Sequence, residues 1–310
     1  MINITALLPK HQQKFPHSIW FILSVLIVGV TANWQPVQAQ TPAQKQPISA
    51  PVKEVQMSLR QRLRQSRTGN SFSQRISSGE TLPSNVPTEL KNLLTQMDTA
   101  ANLGDIKKVM QLHSLQFTSA DGLNTQSLEK SLIELWQKYP RLRYNTRLLS
   151  WKTQGNAIIA ETVTNITGLP SANSSNMALN ATIKSRQRIE NAKIVYQEIL
   201  SERSLLTSGN KPPRVDVILP EQVKVGQEYN FDAIVEEPLG DDFLLGTALE
   251  EPVKVSKYLN PTAVELELLT SGGLFKVGRA PSSPGNLWVS AVILRGDGMT
   301  MVTQRMQVVR

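Results

Sequence analysis

Along this chain the spacing of hydrophobic positions changes more than once, and each change marks a boundary. From Ile19 to Ala32 apolar residues run almost unbroken, interrupted only by Ser24, Gly29 and Thr31. From Leu90 to Tyr139 they recur every three or four residues, the spacing that aligns side chains on one face of a helix. Leu90, Leu93, Leu94, Met97, Ala100 and Ala101 predict a first helix, with Pro87 suited to its first turn and Gly104 to a left-handed stop. Asp105 predicts the cap of a second helix through Leu112. Asn124 predicts that of a third, carrying Leu128, Leu132, Leu135, Trp136 and Tyr139 on one face until Pro140 ends it. Beyond Pro140 the period falls to two. Arg143–Lys152, Ala157–Gly168, Ala178–Ile189 and Lys193–Leu205 read as strands, with Gly155-Asn156 and Asn191-Ala192 as turns. Helices followed by a meander of strands predict a segregated α+β domain over residues 85–208.

From Lys211 onward the pattern is strand throughout. Val215–Leu219, Val223–Val225, Tyr229–Val235, Phe243–Thr247, Val264–Leu269, Leu287–Leu294 and Thr300–Val309 are separated by Gly- and Pro-containing turns. Seven short strands in about a hundred residues predict an all-β sandwich over 209–310, centred on Leu287–Leu294 with Trp288 as its large buried anchor. It is similar to the immunoglobulin-like modules of bacterial envelope proteins, without the disulfide of antibody domains. Lys211-Pro212-Pro213 reads as a short, stiff hinge between the two domains.

The N-terminal apolar run is too short to span a bilayer core of ~30 Å comfortably. It follows a polar start with Lys10 and Lys14 and precedes Val37-Gln38-Ala39, which suits signal-peptidase cleavage, so residues 1–39 read as an export signal. The protein is expected in the periplasm or outside the cell; the alternative is an inner-membrane anchor formed by an uncleaved signal. Residues 40–84 read as a disordered basic linker, rich in Pro, Arg, Gln and Ser. Val52, Val55, Leu59 and Leu63 beside Arg60, Arg62, Arg64 and Arg67 can form one face of a short helix on an anionic membrane surface or envelope polymer.

Charge and composition then remove whole classes of chemistry. The formal net charge is +8, with the basic excess in the linker and the middle segment. An exported chain of this kind has no expected nucleic-acid partner. With no cysteine there is no thiolate nucleophile or disulfide, and of the three histidines only His113 lies beyond the signal, too few for a multi-histidine metal site. Neither a metal nor a cofactor is expected. The doublets Glu236-Glu237, Asp241-Asp242 and Glu250-Glu251 show no ordered calcium-loop pattern and read as solvated loops. Lys184, Arg186 and Arg188 emerge on one strand face opposite Glu198 and Glu202, which reads as a cross-strand charge ladder.

Helix one ending in Gly104-Asp105, a loop with Phe117 and Asp121-Gly122, a third helix ending in Tyr139-Pro140, and a last strand opening on Lys193-Ile194-Val195 together resemble the nuclear transport factor 2-like superfamily. That family includes ketosteroid isomerases and polyketide cyclases. The resemblance implies a cystatin-like α+β cone, in which a curved antiparallel sheet wraps three helices around a pocket, and a homodimer formed through the sheet. It makes Met97, Phe117, Trp136 and Tyr139 candidate pocket-lining residues. It also matches Asp121 to the isomerase base, but places Met97 where those enzymes carry an oxyanion-binding tyrosine and about Ser185 where they carry a protonated acid. Donors of that kind contribute ~3 kcal/mol each to transition-state stabilisation, so isomerase chemistry is not expected.

The sequence therefore favours a non-catalytic, exported binding or protein-interaction protein with a small-molecule pocket in the cone, holding a small apolar ligand. The alternative is an isomerase, cyclase or hydrolase with Asp121 as base and His113 as its partner.

Overall fold

The computed structural model describes residues 85–171, 176–240, 242–259, 264–296 and 298–310. The expected export signal (1–39), the expected basic linker (40–84) and its expected amphipathic stretch from Val52 to Leu63 lie outside the described residues. Three helices come first: α1 (Thr88–Leu103), α2 (Ile106–Gln111) and, after strand β1 (His113–Ser119), α3 (Thr125–Lys138). Their ends follow local chemistry. Gly104 closes α1 at φ 68°, Asp105 accepts the Lys108 amide at the start of α2, and Asn124 and Ser127 form a reciprocal capping box on α3.

Four long strands follow, β2 (Leu142–Gln154), β3 (Ala157–Gly168), β4 (Ala178–Glu190) and β5 (Lys193–Ser208), paired antiparallel in sequence order. β2 is the outer edge of this sheet. Its free backbone groups are met by α1: Asp98 accepts from the Thr146 amide (2.7 Å) and hydroxyl (2.6 Å), and Asn102 exchanges hydrogen bonds with the amide and carbonyl of Tyr144. An edge strand is thereby capped and the first helix is fixed against the sheet.

The remaining elements are β6 (Val215–Ile218), β7 (Gln222–Lys224), β8 (Glu228–Val235), β9 (Leu244–Pro252), a short helix α4 (Val255–Leu259), β10 (Glu267–Leu269), β11 (Gly273–Arg279), β12 (Gly285–Arg295) and β13 (Gly298–Val309). Of these, α4 and β11 have no counterpart in the hydrophobic pattern, and neither has β1. β11, β8 and β6 form a three-stranded sheet, and its Phe231, Ala233 and Val235 pack against Val289, Ala291 and Ile293 of β12.

The two segments are not joined by a hinge alone. β13 pairs with β5 over Met299↔Ser208 to Gln304↔Arg203, so one ten-stranded sheet runs through both, eight strands in the order β10-β9-β12-β13-β5-β4-β3-β2 with β1 added on β5 and β7 on β13. The Lys211-Pro212-Pro213 segment is pinned to the start of β13: Thr300 Oγ1 donates to the Pro213 carbonyl at 2.6 Å, and a side chain at Gly298 would overlap the Lys211 carbonyl. β12 is consequently buried on both faces. Leu287, Val289, Ala291 and Ile293 face the small sheet, whereas Val292 joins a cluster with Tyr139, Leu142, Met177, Leu206 and Met301.

The edge of β5 that receives β13 also receives β1. β1 runs parallel to β5 from His113↔Ile194 to Ser119↔Gln197, and β13 takes over at Arg203. Between these stretches β5 bulges: Ser185 pairs with Ile199 but Lys184 with Ser201, leaving Leu200 as the extra residue. The Leu200 carbonyl accepts from Gln307 Nε2 at 3.3 Å.

Candidate functional site

Helices α1, α2 and α3 and the facing side of β1–β5 enclose a cavity of about 290 Å³. Its wall is mostly aliphatic and aromatic. Met97, Phe117 and Trp136 line it, and so does Ser185. Ser185 is occupied with the Thr162 hydroxyl at 3.1 Å. Tyr139, expected on this wall, is not among the lining residues; the C-terminal turn of α3 directs it into the cluster with Leu142 and Met301, where burial pushes its hydroxyl well above the ordinary tyrosine range. Trp136 Nε1 donates to the Tyr144 hydroxyl at 2.8 Å, and burial raises that phenol to about 12.

Asp121 and His113 both line the cavity but do not act on one another. His113 begins β1 rather than ending α2. Its Nδ1 faces the Val109 carbonyl at 2.9 Å, its ring meets Phe117 edge-on at 4.9 Å, and burial holds it below the ordinary histidine range, hence neutral near pH 7. Nδ1 facing a carbonyl carries the proton. No hydrogen bond joins His113 to Asp121 among the described residues.

Asp121 is engaged elsewhere. The tight turn after β1, with Gly122 at φ 86°, brings it to Arg305 of β13. Arg305 Nη1 and Nη2 donate to Asp121 Oδ1 and Oδ2, both at 2.9 Å, and the Tyr258 hydroxyl of α4 donates to Oδ2 at 2.6 Å. The same guanidinium donates to Glu202 Oε2 from Nε (3.2 Å) and Nη2 (3.1 Å), and Trp288 Nε1 adds a third bond to that oxygen at 3.0 Å. Tyr258 stands edge-on to Trp288 at 4.9 Å, with the Arg305 guanidinium 5.9 Å from the indole centroid. The side chains of Arg305, Asp121 and Glu202 are 0%, 3% and 10% exposed. Burial opposes the charge on Arg305, but Glu202 and Asp121 outweigh it and hold the guanidinium above its ordinary range. Burial, then the charges of Glu202 and Asp121, push the Tyr258 hydroxyl well up.

Glu202 reaches this cluster because of the bulge at Leu200. Alternation in β5 would set it on the outer face with Glu198; the extra residue turns it to the cavity side, in line with Ile199. The expected ladder on the outer face is therefore built differently. Arg186 bonds Glu161 (2.8 Å) and Glu198 (3.1 Å), Lys184 approaches Glu161 at 3.6 Å, and Arg188 pairs with Glu190 (2.7 Å). Hydrogen bonding to Arg186 lowers Glu161 below the usual carboxylate range. The acidic doublets also find cations, with Glu237 on Arg214, Asp242 on Arg295 and Glu250 on Lys276 at 2.8–2.9 Å. Among the described residues no group of acidic and histidine side chains is placed to hold a metal ion.

Residues 210–309 match a family described as "Domain of unknown function (DUF8623)". No curated protein matches the chain. Among solved structures, the chain is similar to Bd1075 of Bdellovibrio bacteriovorus at 14% identity and TM-score 0.30, covering 36% of this chain and only 38% of that one. It is also similar to an uncharacterised cystatin-fold protein from Novosphingobium aromaticivorans (13% identity, TM-score 0.29, 37% of this chain and 98% of that one). A third is the Δ5-3-ketosteroid isomerase of a Mycobacterium species (9% identity, TM-score 0.27, 36% and 92%). The chain is α+β with a mostly antiparallel sheet, and its neighbours include cystatin-like folds over little more than a third of its length.

Proposed function

We propose that this protein is an exported, non-catalytic binding protein whose cone holds a small, largely apolar ligand in the 290 Å³ cavity. The observation that carries this reading is the clamp on Asp121. Both its oxygens are taken by Arg305, one also by Tyr258, and the guanidinium is fully buried. A general base must face the proton it removes with an open lone pair; three of this carboxylate's four acceptor sites are engaged and its charge is balanced by the guanidinium, so it serves to hold β13 and α4 against the loop after β1. The apolar wall suits a ligand bound by burial of surface, with a few polar groups for orientation. Residues 209–310 are read as an immunoglobulin-like sandwich that seals this end of the cone and supplies the interaction surface. Pairing of two copies through the sheet and attachment of the basic linker to an anionic surface belong to the same proposal.

Native mass spectrometry of the protein purified from its own envelope fraction tests it. The expected result is a stoichiometric, non-covalent adduct released on denaturation. A ligand-free mass together with no uptake of apolar fluorescent probes, or a turnover abolished by Asp121→Asn, refutes it.

A further inference from the structure

The cavity is apolar but its polar features are one-sided. Three carboxylates line it, Asp98, Asp121 and Glu202, and no lysine or arginine is among the described lining residues. Arg305 lies behind Asp121 and Glu202 rather than on the wall, and its single charge is shared between two carboxylates. Trp288 and Tyr258 complete the cluster with neutral donors. All three donors to Glu202 converge on Oε2; Oε1 accepts nothing among the described residues. Gln187, on the neighbouring strand, also lines the cavity, and its buried side-chain carbonyl oxygen has no hydrogen-bond partner. An unmatched buried acceptor costs stability unless a donor meets it.

Resting on the binding reading above, we infer that the ligand is an apolar molecule carrying a protonated amine, whose ammonium sits at the Glu202 end of the cavity. An ammonium supplies three donors and one positive charge. It supplies a donor to the free oxygen of Glu202 and balances the carboxylate that Arg305 leaves uncompensated. A neutral hydrocarbon fills the space without either gain, and a carboxylate ligand meets like charge.

Three naphthalene probes of nearly equal size separate these cases on the full chain at pH 7: 2-naphthylmethylammonium, 2-ethylnaphthalene and 2-naphthoate, titrated by calorimetry and by naphthalene fluorescence. The expected order is ammonium at least tenfold tighter than the neutral probe, with naphthoate weakest. Glu202→Gln keeps the shape and an acceptor for Arg305, and is expected to remove most of the ammonium's advantage over 2-ethylnaphthalene. Equal affinity for ammonium and neutral probes, or preference for naphthoate, overturns the inference and leaves the apolar-cavity reading standing. Failure of all three to bind overturns both. The probe order in the unmodified chain decides the matter even where Glu202→Gln does not fold.

Discussion

Replacing Arg305 by methionine probes the joint on which the reading of Asp121 rests. The guanidinium makes four hydrogen bonds of 2.9–3.2 Å to two carboxylates that are themselves 3% and 10% exposed. Methionine keeps much of the side-chain volume, so the loss is electrostatic rather than a void. Removing one partner of a buried ion pair costs about 3–5 kcal/mol, because the remaining charge is left without a counter-ion. That corresponds to a fall of roughly a hundredfold to several thousandfold in the folded-to-unfolded ratio. The sign of its pH dependence follows from the same cluster. In Arg305→Met two buried negative charges face one another with no counter-ion, a penalty that binding a proton relieves and that therefore grows as pH rises. Urea unfolding at pH 7.5, 6 and 4.5 should therefore show a gap between variant and parent that narrows as pH falls. The further changes Asp121→Asn and Glu202→Gln in the same chain should recover most of the loss. A gap under about 1 kcal/mol, or one indifferent to pH, refutes the claim that Arg305 neutralises Asp121.

Three further outcomes follow from the geometry. Gly122→Ala places a Cβ at φ 86° and 3.3 Å from the Val255 side chain, so it should lower stability by about 1–3 kcal/mol, seen as a lower unfolding midpoint. His113 is held below its ordinary value by burial, so the unfolded chain takes up the proton first. Stability should fall as pH drops below about 6.5, by at most about 1.4 kcal/mol per pH unit; His113→Asn, which retains a donor for the Val109 carbonyl, should flatten that slope. Lys138 has a buried Nζ without a hydrogen-bond partner, and burial lowers it to about 7. Lys138→Met should raise stability at pH 7 by about 1–3 kcal/mol; thermal melts of the parent should show stability rising between pH 7 and 10, and those of the variant should not.

The helices and the long strands were legible because each depends on local chemistry. Gly104, Asp105 and Asn124 act within four residues of where they stand, and the strands β2–β5 alternate cleanly enough to be bounded to within about three residues. What was missed lacks such a signal. β1 carries Leu115 at 91% exposure next to buried Phe117, and its register breaks between His113 and Thr118, so no alternation survives. β11 turns Phe275 and Val277 outward, an inversion of the usual pattern, and α4 is five residues, too short for a helical period to show. Leu287–Leu294 does carry a signal, since it is apolar almost throughout rather than alternating. Such a run marks a strand covered on both faces, and it announces that the second segment packs on the first as well as on its own small sheet.

The site was less legible than the fold, for a reason visible in two residues. An Asp-Gly pair after a short strand has the same local sequence whether the carboxylate is a free base or half of an ion pair; the difference lies in Arg305, 184 positions along the chain. Glu202 is subtler. Counted by twos from Glu198 it belongs to the solvent face, and only the single extra residue at Leu200 carries it to the interior. The bulge in turn sits where β5 changes partners, between the end of β1 at Gln197 and the start of β13 at Arg203, with Gln307 meeting the Leu200 carbonyl. The acidic end of the cavity is thus a product of two segments sharing one strand edge. Neither segment alone contains it, which is why a likeness of the first segment to cone-shaped enzymes cannot by itself assign Asp121 their chemistry.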